Sequence, residues 1–365
     1  MAGERPVMIT AGGTGGHVYP GLAVARELQA RGIPVMWMGT RRGLEARVIP
    51  EAGIPMAWCA VSALRGKGAL TWLLAPFRLA LALAQAGFIV LRHRPRLVLG
   101  MGGFVSGPGG AMAALLGRPL VIHEQNAVAG LTNRILARLA GRVLEGFPET
   151  FPATRKTVFT GNPVRADIAA IDHPELRLAG RAGQCLRVLV VGGSQGAQAL
   201  NRVLPEALAR MDEVTRPQVW HQTGPRNLEA TREFYREAGV EGRVDAYIED
   251  MAEAYAWADV VVCRSGALTV AELAAAGVGS ILVPFPFAVD DHQTANAHFL
   301  AHEGAAILLP QSALTAQRLA SELQALALER DRVMGMAMAA RAQARPEAVK
   351  HVADVCVAMM KGGAA

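Results

Sequence analysis

The chain has 365 residues, 52% hydrophobic and 19% charged, which excludes a disordered polymer and leaves material for two domain cores. Its net charge of +6 is unevenly spread: residues 1–160 carry 18 Lys/Arg against 7 Asp/Glu, and residues 161–365 carry 19 against 24. A basic half implies an anionic partner; with 5% aromatics and no RNA-binding aromatic motif, a membrane surface or phosphorylated lipid fits better than nucleic acid.

In chain order, Met1–Thr10 lacks the charged and apolar regions of a signal peptide, so export is not expected. Val7–Ala11 reads as a short apolar strand that breaks into Gly12-Gly-Thr-Gly-Gly16. A helix follows, with Leu22, Ala25, Leu28 and Gln29 at helical spacing. Apolar runs at Val35–Met38, Leu97–Leu99 and Leu120–His123 predict further strands. Between them, Ala69–Leu91 is long enough to span a membrane, but Pro76, Arg78 and Gln85 interrupt it inside a domain whose strands must pair. Trp72, Leu73, Leu74 and Phe77 lie between Arg65/Lys67 and Arg78, a pattern that suits shallow insertion at an anionic surface.

Thr160–Val164, interrupted by glycine and proline, reads as the interdomain junction. Leu186–Val191, Gly192-Gly-Ser-Gln-Gly196 and a helix through Leu200, Val203, Leu204 and Leu208 repeat the opening arrangement. Strands are expected again at Gln218–Gln222, Val260–Cys263 and Ile281–Val283, and Pro346–Met360 reads as a helix returning to the first domain. The fold class is therefore α/β, with two Rossmann-like parallel-sheet domains: 1–163 with helix 346–360, and 164–345. Cys59, Cys185, Cys263 and Cys356 are widely scattered and predict reduced, mostly buried thiols rather than a zinc site or disulfides.

Glycine at a strand end lets backbone amides approach a phosphate, and the following helix N-terminus adds a favourable field. Two such loops in equivalent places favour anion binding over mere tight turns. The dinucleotide fingerprint fails, however. Val18 stands where GxGxxG needs glycine, and Thr40, Arg41 and Arg42 stand where a ribose-binding carboxylate belongs. No GK[ST] follows any glycine run, so the chain is not a P-loop ATPase either.

Seven motifs in order then carry a resemblance. They are Ala11–Ala25 (AGGTGGHVYPGLAVA), Gly100–Pro108 (GMGGFVSGP), His123–Asn133 (HEQNAVAGLTN), Gly161–Arg165 (GNPVR), Gly192–Ala197 (GGSQGA), Cys263–Glu272 (CRSGALTVAE) and Asp290–Ala297 (DDHQTANA). In these the chain resembles the MurG family of bacterial N-acetylglucosaminyltransferases, which build lipid II for peptidoglycan. The resemblance implies the GT-B glycosyltransferase fold, with the two domains facing each other across a cleft. It also implies UDP-N-acetylglucosamine as donor, undecaprenyl-pyrophosphoryl-MurNAc-pentapeptide (lipid I) as acceptor, no cofactor, and peripheral attachment to the cytoplasmic face of the plasma membrane. Residue by residue, it implies Ser194 and neighbouring amides at the pyrophosphate with Arg165 nearby, Ile248 beside uracil, and Ala267, Leu268 and Thr269 at a second phosphate-facing helix start. Glu272 would bind the ribose and Gln293 the sugar ring, while Thr14, Gly15, Gly16 and Asn126 would close on the substrates. Phe104 departs from the tyrosine expected in many relatives.

Each residue also has a plainer explanation. His17 is either a loop hydrogen-bonding residue or the general base that deprotonates the acceptor hydroxyl. Glu124 is a second candidate base, or a residue that orients its own turn. Glu272 either complements a helix dipole or accepts from ribose hydroxyls. Gln293 and Asn296, three apart, can point the same way. Asp290 and Asp291 do not make the DxD arrangement of metal-dependent transferases, so no metal site is expected. The alternatives to lipid II synthesis are a related transferase with another lipid acceptor, a UDP-GlcNAc 2-epimerase, and a non-catalytic sugar-nucleotide sensor.

Overall fold

The computed structural model describes residues 5–61, 75–181, 183–193 and 196–362. Two compact units divide the chain: Met1–Arg165 with Pro346–Ala365, and Ala166–Arg345.

In the first unit, strands β1 (Val7–Ala11), β2 (Val35–Gly39), β3 (Met56–Trp58), β4 (Leu97–Gly102), β5 (Leu120–Glu124), β6 (Arg142–Glu145) and β7 (Thr157–Phe159) form one sheet in the order 3-2-1-4-5-6-7. Every pairing is parallel. In the second, β8 (Arg187–Val191), β9 (Gln218–Gln222), β10 (Arg243–Asp245), β11 (Val260–Cys263), β12 (Gly279–Leu282) and β13 (Ala306–Leu308) form a parallel sheet ordered 10-9-8-11-12-13. Helices cover both faces of a parallel sheet, so its central strands are apolar throughout rather than alternating. β1, β2, β4 and β5 are buried at every position, as are β11 and β12.

Each sheet reverses its strand order once, at β1/β4 and at β8/β11. In such folds ligands bind beyond the carboxyl ends of the strands at that switch point. Both glycine loops follow a switch-point strand.

The core of the first unit takes in the helix Ala348–Gly362, whose Val352, Ala353, Cys356 and Met360 are buried among Val7, Val24, Leu28 and Leu99. Arg31, the C-cap of the helix Gly15–Ala30, pairs with Asp354 at 2.5 Å. In the second unit, Asp259 at the foot of β11 is buried between Arg181 and Arg330, each at 2.7 Å, and also accepts from the Arg187 amide. Cys59, Cys263 and Cys356 are buried thiols, as expected for most of the cysteines, pushed up to about 11, 12 and 12 by burial; Cys185 is exposed.

Ala75–His93 is long and apolar enough to cross a membrane. One side of it is committed to the sheet: Ala86, Ile89 and Val90 pack in a core with Met8, Val98 and Ile122. Its other side exposes Phe77, Leu79, Leu81, Phe88 and Leu91. The expected insertion residues Trp72, Leu73 and Leu74, with Arg65 and Lys67, lie outside the described residues.

Candidate active site

β1 ends at Ala11 and the helix Gly15–Ala30 starts four residues later, with Thr14 as an extended N-cap whose side chain makes no cap hydrogen bond. Gly15 and Gly16 form the first turn and His17 follows, half-buried. The loop is held by a residue that the sequence did not suggest. Glu45 is fully buried and accepts from the Gly13 amide at 3.0 Å, the Thr40 amide at 3.0 Å and the Thr40 hydroxyl at 2.7 Å. Gly12 and Gly43 approach this carboxylate so closely that a Cβ on either would collide with it, and a Cβ on Gly39 would collide with the Glu45 Cγ. One amide of this loop, that of Gly13, thus serves the protein's own carboxylate rather than an outside anion. Glu45 sits near the chain position where a dinucleotide-binding domain keeps its ribose carboxylate, but its oxygens face the protein's own loop.

The end of β5 meets this loop. Glu124 is buried and its oxygens accept four hydrogen bonds: Oε1 from the Asn126 amide (3.0 Å) and Asn126 Nδ2 (3.1 Å), and Oε2 from the Gly130 amide (3.1 Å) and Asn133 Nδ2 (2.9 Å). An ionised carboxylate has about four acceptor sites, so Glu124 is committed to shaping residues 124–133. His17 Nδ1 lies 2.9 Å from Oε1 of buried Gln125. Gln125 Nε2 lies 3.2 Å from Nδ1 of His123, whose Nε2 is 3.1 Å from the Gly161 carbonyl. Burial pushes His123 down to about 4, so its ring is neutral at physiological pH. The first unit thus brings together Thr14, Gly15, Gly16 and His17, with Gln125 joining His17 to the 124–126 turn. Arg165 is the last residue of this unit, although the sequence placed it at the start of the second.

In the second unit the loop after β8 passes Gly192, Gly193 and Gly196 into the helix Gln198–Ala209. Ser194 lies outside the described residues. The Gly192 amide donates to the Gln222 carbonyl and Asn201 Nδ2 to the Thr223 carbonyl, tying this segment to the loop after β9, within which Asn227 Nδ2 donates to the same Thr223 carbonyl. After β11, Gly266 caps the helix Ala267–Ala276 with no side-chain hydrogen bond, leaving the first turn at Ala267, Leu268 and Thr269 uncapped. Ser265 fixes that turn: its hydroxyl donates to the Gln293 carbonyl at 2.7 Å, and its own carbonyl accepts from buried Asn296 at 3.2 Å. The side-chain oxygen of Gln293 accepts from the Phe285 amide at 2.9 Å, which leaves its NH₂ end as donor.

Glu272 is almost fully buried, one turn into the helix, and accepts from the Tyr255 hydroxyl at 3.0 Å. Tyr255 was not singled out by sequence; it lies 17 residues away on another helix. Ile248 is buried in the loop after β10. The structure thus gathers Ala267–Thr269, Gln293 and Asn296 around Ser265. A cavity of about 550 Å³ in the first unit is lined by Arg41, Arg42, Trp58, Arg78, Leu79 and Gln85 among others, and by no residue of the glycine loops.

Residues 7–145 match the glycosyltransferase family 28 N-terminal domain and residues 187–352 its C-terminal domain. The chain is 56% identical to a Nitrosococcus oceani protein over 98% of this chain and 99% of that one, and 57% identical to an Aromatoleum aromaticum protein over the same shares. Both are named UDP-N-acetylglucosamine–N-acetylmuramyl-(pentapeptide) pyrophosphoryl-undecaprenol N-acetylglucosamine transferase. The crystal structure of Acinetobacter baumannii MurG superposes with a TM-score of 0.84 at 42% identity, covering 97% of this chain and 99% of that one. The chain belongs to the MurG family. Its two parallel-sheet α/β units are those of the GT-B fold, and a MurG-family member is a hexosyltransferase. Glu45, Gln125 and Tyr255 are the positions in this MurG-family chain that sequence reasoning missed.

Proposed function

We propose that this chain transfers N-acetylglucosamine from UDP-N-acetylglucosamine to the 4-hydroxyl of the muramyl sugar of lipid I, giving lipid II with inversion at the anomeric carbon. The observation that carries the reading is full-length identity above 50% to relatives bearing that name, with the motif loops at both switch points. The second unit holds UDP. The loop after β8, with the helix Gln198–Ala209 that follows it, and the first turn at Ala267, Leu268 and Thr269 face the diphosphate, where the dipoles of the two helix N-termini stabilise the departing charge. Ser194 and Arg165 are proposed further contacts to that diphosphate. Ile248 lies beside uracil, Glu272 accepts from the ribose, and Gln293 donates to the sugar.

In the first unit His17 takes the proton of the attacking hydroxyl, and Thr14, Gly15, Gly16 and Asn126 position the acceptor. Glu124, with four hydrogen bonds to its own loop, shapes the turn that carries Asn126. The test is transfer of labelled N-acetylglucosamine to a short-chain lipid I analogue. Product is expected, with UDP released only when acceptor is present. UDP formation without acceptor would move the epimerase reading to the front, and tight UDP binding without any turnover would favour a sensor.

The same proposal places the enzyme on the cytoplasmic membrane surface, with no nucleic acid partner. The outward side of Ala75–His93 carries Phe77, Leu79, Leu81, Phe88 and Leu91 beside Arg78 and Arg92, a composition that inserts at the level of anionic headgroups. Co-sedimentation with vesicles is expected to rise with phosphatidylglycerol content and to fall several-fold in Phe77→Ser/Leu79→Ser. Equal binding to neutral vesicles, or no effect of the double substitution, would remove this helix from the contact.

A further inference from the structure

The reading of His17 as base leaves open which ring nitrogen takes the proton, and the buried hydrogen-bond chain behind it decides. His123 Nε2 faces the Gly161 carbonyl at 3.1 Å. A carbonyl only accepts, so this nitrogen carries hydrogen. His123 is completely buried and neutral, so its Nδ1 has the lone pair and accepts from Gln125 Nε2 at 3.2 Å. That fixes the Gln125 amide, 1% exposed, with its NH₂ toward His123 and its oxygen toward His17 Nδ1 at 2.9 Å. The reversed amide would put an acceptor on His123 Nδ1. Both His123 nitrogens would then have to donate, making a buried cation with no carboxylate bonded to it. The Gln125 backbone is held as well, because its carbonyl accepts from buried Asn162 at 2.9 Å.

We propose that Gln125 is the positioning residue for the transfer reaction: its side-chain oxygen, oriented by His123 and the Gly161 carbonyl, holds a hydrogen on His17 Nδ1 and so leaves His17 Nε2 as the basic nitrogen. The inference rests on His17 as base, and deepens it. Gln125 plays the orienting part that a carboxylate plays in a serine–histidine–aspartate triad, but as a neutral amide. It touches no substrate; it acts through the imidazole. When the acceptor proton arrives at Nε2, the imidazolium keeps its Nδ1–H bond to the amide oxygen, so the relay need not rearrange during the step.

The test uses the full-length enzyme labelled with ¹⁵N-histidine, with the His17 signals assigned by their loss in His17→Ala. At a pH where the ring is neutral, the ¹⁵N shifts are expected to report hydrogen on Nδ1. In Gln125→Met, which keeps side-chain length without an acceptor, the Nε2–H form is expected to grow. With it, kcat should fall roughly 10²-fold with KM for UDP-N-acetylglucosamine unaltered; a histidine base in the wrong tautomer loses up to about 10⁴. In a His17→Ala background, Gln125→Met is expected to have no further effect on kcat, the mark of two residues acting as one unit. Hydrogen on Nε2 in the wild-type enzyme would overturn the proposal, and that measurement needs no variant to fold. An unaltered tautomer in Gln125→Met would overturn it too. If His17→Ala turns over like wild type, the base assignment fails while the tautomer measurement still reports on the relay, so the two failures are distinguishable.

Discussion

His17→Ala is expected to lower kcat for transfer to a soluble lipid I analogue by about 10²–10⁴-fold, the range over which a positioned general base contributes. UDP binding, assigned to the other unit, should be unaltered by calorimetry. The size of the effect follows from the chemistry: a sugar hydroxyl is a poor nucleophile until its proton has somewhere to go. Among the described titratable side chains of the first glycine loop and the turn beside it, His17 is half-buried on the first turn of its helix, whereas Glu45 accepts three hydrogen bonds and Glu124 four from the protein itself. Removing Glu124 would instead release the Asn126, Gly130 and Asn133 donors it holds, and the loss should appear in acceptor KM and thermal stability. A His17→Ala enzyme within threefold of wild-type kcat would exclude it as base.

Gly196→Ala is expected to weaken UDP binding at least tenfold while the protein stays folded. Gly196 has φ of +76°, a conformation that costs a residue with a Cβ about 1–3 kcal/mol. Space is missing as well, since a Cβ there would overlap the Thr223 carbonyl oxygen and Asn227 Nδ2. That carbonyl cannot easily retreat, because Asn201 and Asn227 both donate to it. The loop must therefore open and shift away from the proposed diphosphate position, and about 1.4 kcal/mol of lost interaction is already tenfold. Gly193→Ala makes a useful comparison. It has similar φ, +75°, but no atom of the described residues within 4 Å of the added carbon, so strain acts there without collision with them. A Gly196→Ala protein that binds UDP like wild type would move the donor away from this loop.

The parts of the fold that were readable are those where one strand is long and apolar. Val7–Ala11 and Val260–Cys263 match their predicted runs residue for residue, because both faces of a central parallel strand are buried and the hydrophobic signal is nearly continuous; Gln218–Gln222 also matches, although only Val219 and Trp220 in it are apolar. The strand predicted at Ile281–Val283 begins two residues earlier, at Gly279-Ser280, which by composition reads as a turn. β6 and β10, with Arg142, Glu145, Arg243 and Asp245, have too few apolar residues to announce themselves and exist because a neighbour offers them a ladder. The site shows the same division. Glycine loops at strand ends are local signals, so the loops were found. Glu45 reaches Gly13 from 32 positions away, and Gln125 reaches His17 from 108; such pairings belong to the sheet order, and nothing in either local stretch encodes them.

The seat of the helix Ala348–Gly362 in the first unit bears on how the protein is made. During synthesis, residues 1–165 leave the ribosome well before Val352, Ala353, Cys356 and Met360 exist, so the core they complete stays uncovered while the whole second unit is translated. The second unit, contiguous from 166 to 345, can close as soon as it emerges. The earlier-born half of the molecule is thus the later to be finished, and its unfilled groove is the surface on which a chaperone would be needed.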